Sequence, residues 1–337
     1  MNRWIGLLVS LVILTTILAG CSGTSTNTSA PATAANDTKV NESGETAGAN
    51  TSDTSKPDTG TWPRTITDAA GHEIVLQERP ERIAVLHPLY MDYFFALGTP
   101  PIASGSAESA LKDFATLQPY AGTAEIIDLG SGRDLNLEAI MATSPDVIVT
   151  FKGHIDANYD ELSKIAPVVQ IDYGDTWEQA TMLCAQIIGK EREAEQLIQD
   201  TREMIAKTKE KLSDLKDKSF ALLRVDSKAN FTAQGVKNTV YYNEATGFGL
   251  LKPEKYPEDS QTLSLEALSE MNPDYIIIQH DPRVAEAAVQ EKETMAVWKS
   301  LKAVKNDHVL FFDGSLNSGS VLAIRLAADE FMKLTGE

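Results

Sequence analysis

One segment of this chain occurs twice, and the repetition limits the folds that the chain can adopt. Residues 137–140 (LEAI) precede residues 144–149 (SPDVIV), and residues 265–268 (LEAL) precede residues 272–277 (NPDYII). The glutamate and the proline are separated by the same number of residues in both copies. Each copy predicts a short helix, a break at Pro-Asp and a buried strand. We therefore expect two lobes of similar build.

Strand-like and helical patterns alternate along most of the chain. Apolar segments that predict strands occupy residues 82–86, 146–150, 168–171, 220–225, 275–278 and 309–312. This alternation predicts an α/β fold with largely parallel sheets. Residues 62–174 form the first expected lobe and residues 196–337 the second. Residues 175–195 are the expected helical connection, which would restrict the motion of the lobes more than extended strands would.

The N-terminal segment is expected to lie outside the fold. Arg3 precedes an apolar run that is too short for a comfortable membrane span, so residues 1–20 predict a signal peptide. The run ends at Leu-Ala-Gly-Cys, which resembles a bacterial lipobox and implies that Cys21 carries a lipid. The alternative is a plain secretory signal in which Cys21 is incidental. Residues 21–61 are rich in Ser and Thr and predict a disordered tether with a reach of roughly 35 Å.

Composition excludes several classes of protein. The formal net charge of −18 argues against a nucleic-acid-binding protein, because phosphate binding requires clustered Lys and Arg. Two cysteines cannot form a disulfide framework or a Cys-rich zinc site. Cys184 lies in an apolar stripe and is expected to be buried and inert. No P-loop or nucleophile elbow is present, so we expect no enzyme, although a secreted hydrolase stays an alternative because triads are recognised by geometry.

Several stretches resemble the siderophore and cobalamin receptors of bacterial ABC importers, a class of periplasmic binding proteins with a helical backbone. The matching residues are 81–86, 96–98, 136–140, 144–148, 159–167, 189–191, 194–195, 273–277 and 304–312. The resemblance implies two Rossmann-like lobes with a ligand cleft between them, the class III arrangement. It also implies a monomeric, lipid-anchored receptor on the outer face of a Gram-positive-like membrane. Such a receptor delivers a ferric siderophore of hydroxamate or citrate type to a permease and has no permanent cofactor.

The resemblance also assigns a role to the two glutamates of the repeat. In that family, one glutamate on each lobe docks onto arginines of the permease, and the matching residues are Glu138 and Glu266. Each opens a predicted helix, where the helix dipole favours a carboxylate. A purely structural role at the helix start is therefore the alternative to docking.

Ligands in open α/β sheets bind beyond the carboxyl ends of the strands. The candidate ligand-binding residues follow predicted strands: His87, Tyr90, Lys152, His154, Arg224, Phe231, His280, Arg283 and Asn317. Arg224 is the main candidate because a guanidinium suits the charged oxygens of hydroxamate, catecholate or carboxylate groups. It also lies in a stretch that resembles the family segment whose arginine contacts iron-bound oxygens. A structural salt bridge of Arg224, and core packing of the aromatic residues, are the alternatives.

Three histidines leave other ligands open. His87, His154 and His280 could bind a metal directly, yet a siderophore already fills the coordination sphere of iron, so no protein metal ligand is expected. A heme receptor, with His87, Tyr90 or His280 as axial ligand, or a cobalamin receptor is the alternative of the same fold. Lys152, Arg224 and Arg283 are few cations for a strongly anionic triscatecholate complex. A hydroxamate or citrate-type chelate is therefore preferred.

Overall fold

The computed structural model describes residues 61–131, 136–226 and 228–335. Within the last range, it describes the backbone of Asn238 but not its side chain. The expected signal peptide (1–20), Cys21 and almost all of the tether lie outside the described residues. No helix within the described ranges is long and apolar enough to cross a membrane.

The first lobe contains a parallel sheet. Its strands are β3 (Ile83–Val85), β4 (Ala103–Ser104), β5 (Ile127–Asp128), β6 (Val147–Phe151) and β7 (Val168–Ile171). They lie in the order β5-β4-β3-β6-β7. An antiparallel hairpin of β1 (Arg64–Thr67) and β2 (Glu73–Leu76) precedes them. The helices are α1 (Met91–Ala96), α2 (Ala107–Asp113), α3 (Leu137–Ala142) and α4 (Tyr159–Ser163).

The second lobe contains a mixed sheet. Its strands are β8 (Phe220–Val225), β9 (Phe231–Ala233), β10 (Gln261–Leu263), β11 (Tyr275–Gln279) and β12 (Val309–Phe312), in the order β10-β9-β8-β11-β12. Strands β8, β11 and β12 are parallel, whereas β9 and β10 run antiparallel to their neighbours. The helices are α7 (Leu265–Met271), α8 (Pro282–Lys292), α9 (Ala296–Ser300), α10 (Lys302–Lys305) and α11 (Val321–Leu334).

The two copies of the repeated segment occupy equivalent places in the two lobes. The first forms α3 and β6, and β6 lies between β3 and β7. The second forms α7 and β11, and β11 lies between β8 and β12. The aspartate after each proline ties its strand to the neighbouring one. Asp146 accepts hydrogen bonds from the backbone N–H of Glu81 and Arg82 (2.9 and 2.8 Å), and Asp274 accepts one from that of Ser219 (3.0 Å).

Two helices lead from the first sheet to the second. They are α5 (Trp177–Ile188) and α6 (Glu191–Lys211), followed by a 3-10 turn over Leu212–Leu215. Thr176 and Gln179 form a capping box at the start of α5, and Gly189 ends that helix with a φ of +65°. Cys184 in α5 is fully buried, as expected, and burial raises the pKa of its thiol. That the thiol is inert stays a prediction. That these helices restrict lobe motion stays a prediction.

The lobes also contact each other directly. Asp92 of α1 accepts hydrogen bonds from the hydroxyls of Thr116 (3.1 Å) and Ser320 (2.5 Å), and Ser320 caps α11 of the second lobe. The backbone N–H of Ala115 donates to Asp313 Oδ1 (3.1 Å). Asp92 is 1% exposed, and its burial raises its pKa to about 7.

Candidate ligand-binding cleft

A cleft of about 700 Å³ lies between the two lobes. The first lobe contributes residues from the α1 region and from the turn after β7, and the second contributes the ends of β8, β9 and β11 with the loops that follow. The residues that carry the chemistry are Tyr90, Asp172, Tyr173, Asp175, Trp177, Arg224, Gln234, Lys237, Tyr241, Gln279 and Asn317. The cleft therefore lies beyond the carboxyl ends of parallel strands, where ligands of α/β sheets bind.

Arg224 presents an uncompensated positive charge to this cleft. It is the only exposed residue of β8, since its neighbours Leu223 and Val225 point to the opposite, buried side. Within the described ranges, no residue forms a hydrogen bond or ion pair with its guanidinium. The structural salt bridge considered as the alternative is thus not found among the described residues. The guanidinium is available for a charge-assisted hydrogen bond to a ligand oxygen.

A network of neutral amides covers the second-lobe wall of the cleft. Gln234 Nε2 donates to Asn317 Oδ1 (2.6 Å) and also to Gln279 Oε1. Gln279 Nε2 in turn donates to the Tyr241 hydroxyl (2.9 Å), whose pKa is raised by burial. Asn317 Nδ2 donates to the carbonyl of Gly314 (2.9 Å). Each amide is therefore held by another, and the wall offers oriented, uncharged hydrogen-bonding groups.

Aromatic rings and two histidines form a cluster at the first-lobe side. Phe151 stacks on His154 with ring centroids 4.7 Å apart, and His87 lies 6.0 Å from His154. Tyr90 and Tyr173 connect the cluster to the cleft, because each lies about 6 Å from Phe151 and lines the cleft. Burial, with a smaller effect of His154, lowers the pKa of His87 to about 4, so this ring is neutral near pH 7.

The structure brings only some of the predicted ligand residues into the cleft. Tyr90, Arg224 and Asn317 line it, and His87 and His154 lie behind Tyr90. Lys152 is exposed beyond β6 but is not among the lining residues. Phe231, which begins β9, is 2% exposed and stacks on Trp298 with centroids 5.4 Å apart, so it belongs to the core.

His280 and Arg283 also lie away from the cleft lining. Gln279, the last residue of β11, lines the cleft, whereas His280, which follows the strand, is not among the lining residues. His280 Nδ1 is buried, and within the described ranges no hydrogen-bond partner is found for it. Arg283 lies on exposed helix α8 and pairs with Asp281 (2.8 Å). The three histidines therefore do not converge on one point.

Sequence reasoning missed the turn after β7. Asp172 and Asp175 order this turn: Asp172 accepts from the N–H of Gly174 (2.8 Å), and Asp175 accepts from that of Asp172 (3.3 Å). Burial raises the pKa of Asp175, and the negative charge of Asp172 adds to this effect. The strand-end rule applied to Ile171 would have identified both residues. Gln234 and Tyr241 gave no such signal, because they follow an antiparallel strand.

Two observations on the described residues concern metal binding and hydroxyl chemistry near the cleft. Among the described residues, no group of three or more His, Cys, Asp or Glu side chains is placed to hold a metal ion. His154 Nδ1 is hydrogen-bonded to the Thr150 hydroxyl (2.6 Å), and Thr150 is fully buried. A ligand in the cleft cannot reach that hydroxyl.

The two glutamates of the repeat lie on the outer surface. Glu138 and Glu266 are the second residues of α3 and α7, and both are exposed. The helices begin in the same way, since Asn136 and Ser264 accept hydrogen bonds from the N–H three residues later (3.0 and 3.1 Å). Among the described residues, neither glutamate has a side-chain partner.

Comparisons with known proteins agree with this architecture. The iron-uptake system-binding protein of Bacillus subtilis (strain 168) is 32% identical over 189 residues, which cover 53% of this chain and 59% of that protein. The Fe(3+)-citrate-binding protein YfmC of the same organism is 25% identical over 316 residues, covering 91% and 89% of the two chains. The chain thus spans about three fifths of the first relative's length and most of the second's.

A solved structure extends the comparison to the fold. The triscatecholate siderophore binding protein FeuA from Bacillus subtilis, complexed with ferri-bacillibactin, superposes with a TM-score of 0.66 and 25% identity. The superposition covers 80% of this chain and 98% of that one. The predicted class III arrangement of two α/β lobes is confirmed. The sequence profile of the family described as periplasmic binding protein matches residues 83–316, so this chain belongs to the periplasmic binding protein family.

Proposed function

We propose that this protein is the receptor of an ABC importer and binds one ferric siderophore in the cleft between its lobes. The observation that carries the proposal is the guanidinium of Arg224, which lies in a cleft bounded by both lobes and has no partner among the described residues. Iron-bound oxygens of siderophores carry negative charge and are the natural partners of such a group. The relatives support an iron chelate as ligand, since their names refer to iron uptake, ferric citrate and a ferric siderophore.

Binding requires no bond to form or break in the protein. Arg224 would donate hydrogen bonds to the iron-bound oxygens, and the amide network would hold the polar groups of the chelator backbone. Tyr90, Tyr173 and Trp177 offer apolar surface to its carbon chain. Family membership supports a binding protein over the secreted hydrolase, and the names of the relatives lend no support to heme or cobalamin.

The charges around the cleft favour a ligand of low net charge. The cleft lining includes two carboxylates, Asp172 and Asp175, and two cations, Arg224 and Lys237. Lys237 also pairs with Asp259 (3.2 Å). A ferric triscatecholate is strongly anionic and would meet one uncompensated cation beside two carboxylates. A hydroxamate or citrate-type chelate is therefore the proposed ligand class.

The same proposal includes membrane attachment and delivery. Cys21 would carry the lipid that holds a monomer at the outer face of the cell membrane, with residues 21–61 as the tether. Glu138 and Glu266 would dock onto cationic residues of the permease. Their exposure, their lack of partners among the described residues and their equivalent places in the two lobes support this role.

A fluorescence titration tests the ligand assignment. Trp177 lines the cleft, so a bound ferric chelate should quench its emission. The chain would be titrated with ferrioxamine B, ferric citrate, ferric enterobactin, hemin and cobalamin. We expect saturation by ferrioxamine B or ferric citrate, with affinity weakened about tenfold or more by Arg224→Ala. Arg283→Ala, which removes the same charge outside the cleft, should change affinity less than twofold.

Two results would contradict this assignment. Saturation by hemin or cobalamin alone would replace the siderophore with the corresponding ligand. Equal affinities of the Arg224→Ala variant and the unchanged protein would remove Arg224 from the site.

A further inference from the structure

A second groove lies on the outer surface of the first lobe, beside Glu138. It has a volume of about 520 Å³ and runs between α3 and α4. Its apolar lining comes from Leu137, Met141, Pro145 and Ile165. Met141 is 58% exposed, which leaves its flexible thioether side chain largely in water. We call this surface the α3–α4 groove.

The charges at the groove leave one carboxylate uncompensated. Lys164 and Glu161 also line it, and they pair with each other at 2.6 Å. Glu138 has no partner among the described residues. The groove thus combines an apolar surface with a single unpaired negative charge at its edge. That combination complements a segment in which an apolar side chain lies close to an arginine or lysine.

The second lobe differs at the equivalent place. Ser269 occupies the position of Met141 when the two copies of the repeat are aligned. The backbone conformations of the two copies are similar here, because Ser144 and Asn272, which follow the two helices, both have positive φ (45° and 39°). The difference therefore lies in the side chains. Glu270, at the position of Ala142, is engaged in an ion pair with Lys255 (3.0 Å).

We propose that the α3–α4 groove receives an apolar side chain from the permease segment that carries the cationic partner of Glu138. The two lobes then dock unequally: the first by an ion pair with an apolar contact, and the second by charge alone. This inequality would give the receptor one preferred orientation on the permease. The proposal rests on the proposed docking role of Glu138 and Glu266.

Photo-cross-linking in living cells tests the groove without knowledge of the ligand. The full-length protein would carry p-benzoylphenylalanine at position 141 or, as the matched control, at position 269. We expect position 141 to cross-link to the membrane-spanning subunit of an ABC permease at least fivefold more than position 269. The cross-linked permease peptide should contain an apolar residue within a few positions of Arg or Lys.

Exchange of the two side chains provides a second measurement. Met141→Ser should lower the rate of ⁵⁵Fe-ferrioxamine B uptake severalfold, whereas Ser269→Met should leave it unchanged or raise it. Neither exchange lies in the cleft, so ferrioxamine B affinity should stay within twofold. The thermal unfolding midpoint of Met141→Ser should match that of the parent, since position 141 is exposed.

The outcomes separate this proposal from the one on which it rests. In one outcome, positions 141 and 269 cross-link equally, and Glu138→Lys and Glu266→Lys abolish the cross-links. This outcome would overturn the proposed role of the groove but keep docking through the glutamates. Permease cross-links that survive both charge reversals would overturn docking through these glutamates. A cross-link from position 141 to a second copy of this chain would make the groove a self-interface and overturn the proposal.

Discussion

The hydroxyl of Ser320 donates a 2.5 Å hydrogen bond to Oδ2 of Asp92 across the boundary between the lobes. The same hydroxyl accepts a hydrogen bond from the N–H of Ala323 and thereby caps α11 (3.1 Å). Asp92 receives a second hydrogen bond from Thr116, and the nearby negative charge of Asp313 adds to the effect of burial on its pKa. One carboxyl group thus connects α1, the loop at Thr116 and the start of α11.

Asp92 should make stability fall as pH rises. The folded protein holds its proton up to about pH 7, whereas an unfolded aspartate releases it near pH 4. The unfolded state therefore binds fewer protons between these values, and the free energy of unfolding decreases through this window. Urea unfolding of the parent and of Asp92→Asn at pH 4.5, 6.0 and 7.5 measures this dependence. We expect the parent to lose on the order of 2 kcal/mol relative to the variant.

A partly exposed carboxyl group provides the control for this prediction. Asp281 pairs with Arg283, and that hydrogen bond lowers its pKa to about 2. The stability that this ionised carboxyl group contributes would be lost only as pH falls toward that value. Asp281→Asn should therefore not change the pH dependence of the free energy of unfolding above pH 4.5. Parallel pH profiles of the parent and Asp92→Asn would contradict the raised pKa of Asp92.

Removal of the two cleft carboxylates should change ligand selectivity. The double substitution Asp172→Asn with Asp175→Asn removes two negative charges while the amide oxygens can still accept the hydrogen bonds of the turn. Affinity for anionic ferric enterobactin should rise about tenfold, because two repulsive charges near the ligand are lost. Affinity for uncharged ferrichrome should change little. Fluorescence titration at an ionic strength where the Debye length is about 10 Å measures both.

Removal of a negative charge outside the cleft is the control for the effect of the protein's overall charge. Asp160→Asn on exposed helix α4 removes one negative charge away from the cleft lining. It should affect enterobactin affinity less than twofold at an ionic strength where the Debye length is about 10 Å. Equal effects of the two changes would show that the cleft carboxylates do not act locally.

Charge reversal at the repeat should separate delivery from binding. In the double variant Glu138→Lys with Glu266→Lys, uptake of ⁵⁵Fe from the bound chelate should fall about tenfold or more, because two ion pairs become repulsions. Chelate affinity should stay within twofold. Each lysine near a helix start costs about 0.3–1 kcal/mol, so the fold should persist. Glu195→Lys, at an exposed position of α6, is the control and should keep full uptake.

Substitution of Gly235 by alanine should lower the stability of the protein and weaken chelate binding. It joins two cleft residues, Gln234 and Val236, at a φ of +84°, and an added Cβ would lie 2.5 Å from the backbone carbon of Asp259. Gly71 has a similar φ of +86° but no atom within 4 Å of such a Cβ. Gly71→Ala should therefore show only the conformational cost of about 1–2 kcal/mol. Gly235→Ala should cost more and weaken chelate binding, and equal unfolding midpoints of the two variants would contradict this.

Those parts of the fold that depend on local pattern could be predicted from the sequence. The repeated segment revealed the two lobes because helix capping, a Pro-Asp break and an apolar strand each leave a local signature. Arg224 could be placed at the cleft because it is the polar residue near the end of an apolar strand whose carboxyl end faces the site. These inferences required only neighbouring residues.

Other site residues depend on contacts that a single sequence does not display. Phe231 was assigned to the ligand, but it packs on Trp298, which lies 67 positions further along the chain. The antiparallel direction of β9 also carries the chain back across the sheet, so Gln234 and Tyr241 enter the cleft from an unexpected side. His280 is not among the lining residues, because the strand-end rule gives a position along the chain but not whether the side chain enters the cleft.

Helix α11 should make the stability of each lobe depend on the other. It belongs to the second lobe by sequence, yet it packs on α1 of the first lobe and on α6 between the lobes. The described residues accordingly fall within one compact unit. A chain cut near residue 219 would leave the apolar side of α1 without its cover, so neither half would form a complete core. We therefore expect the two lobes to unfold together, in one cooperative transition.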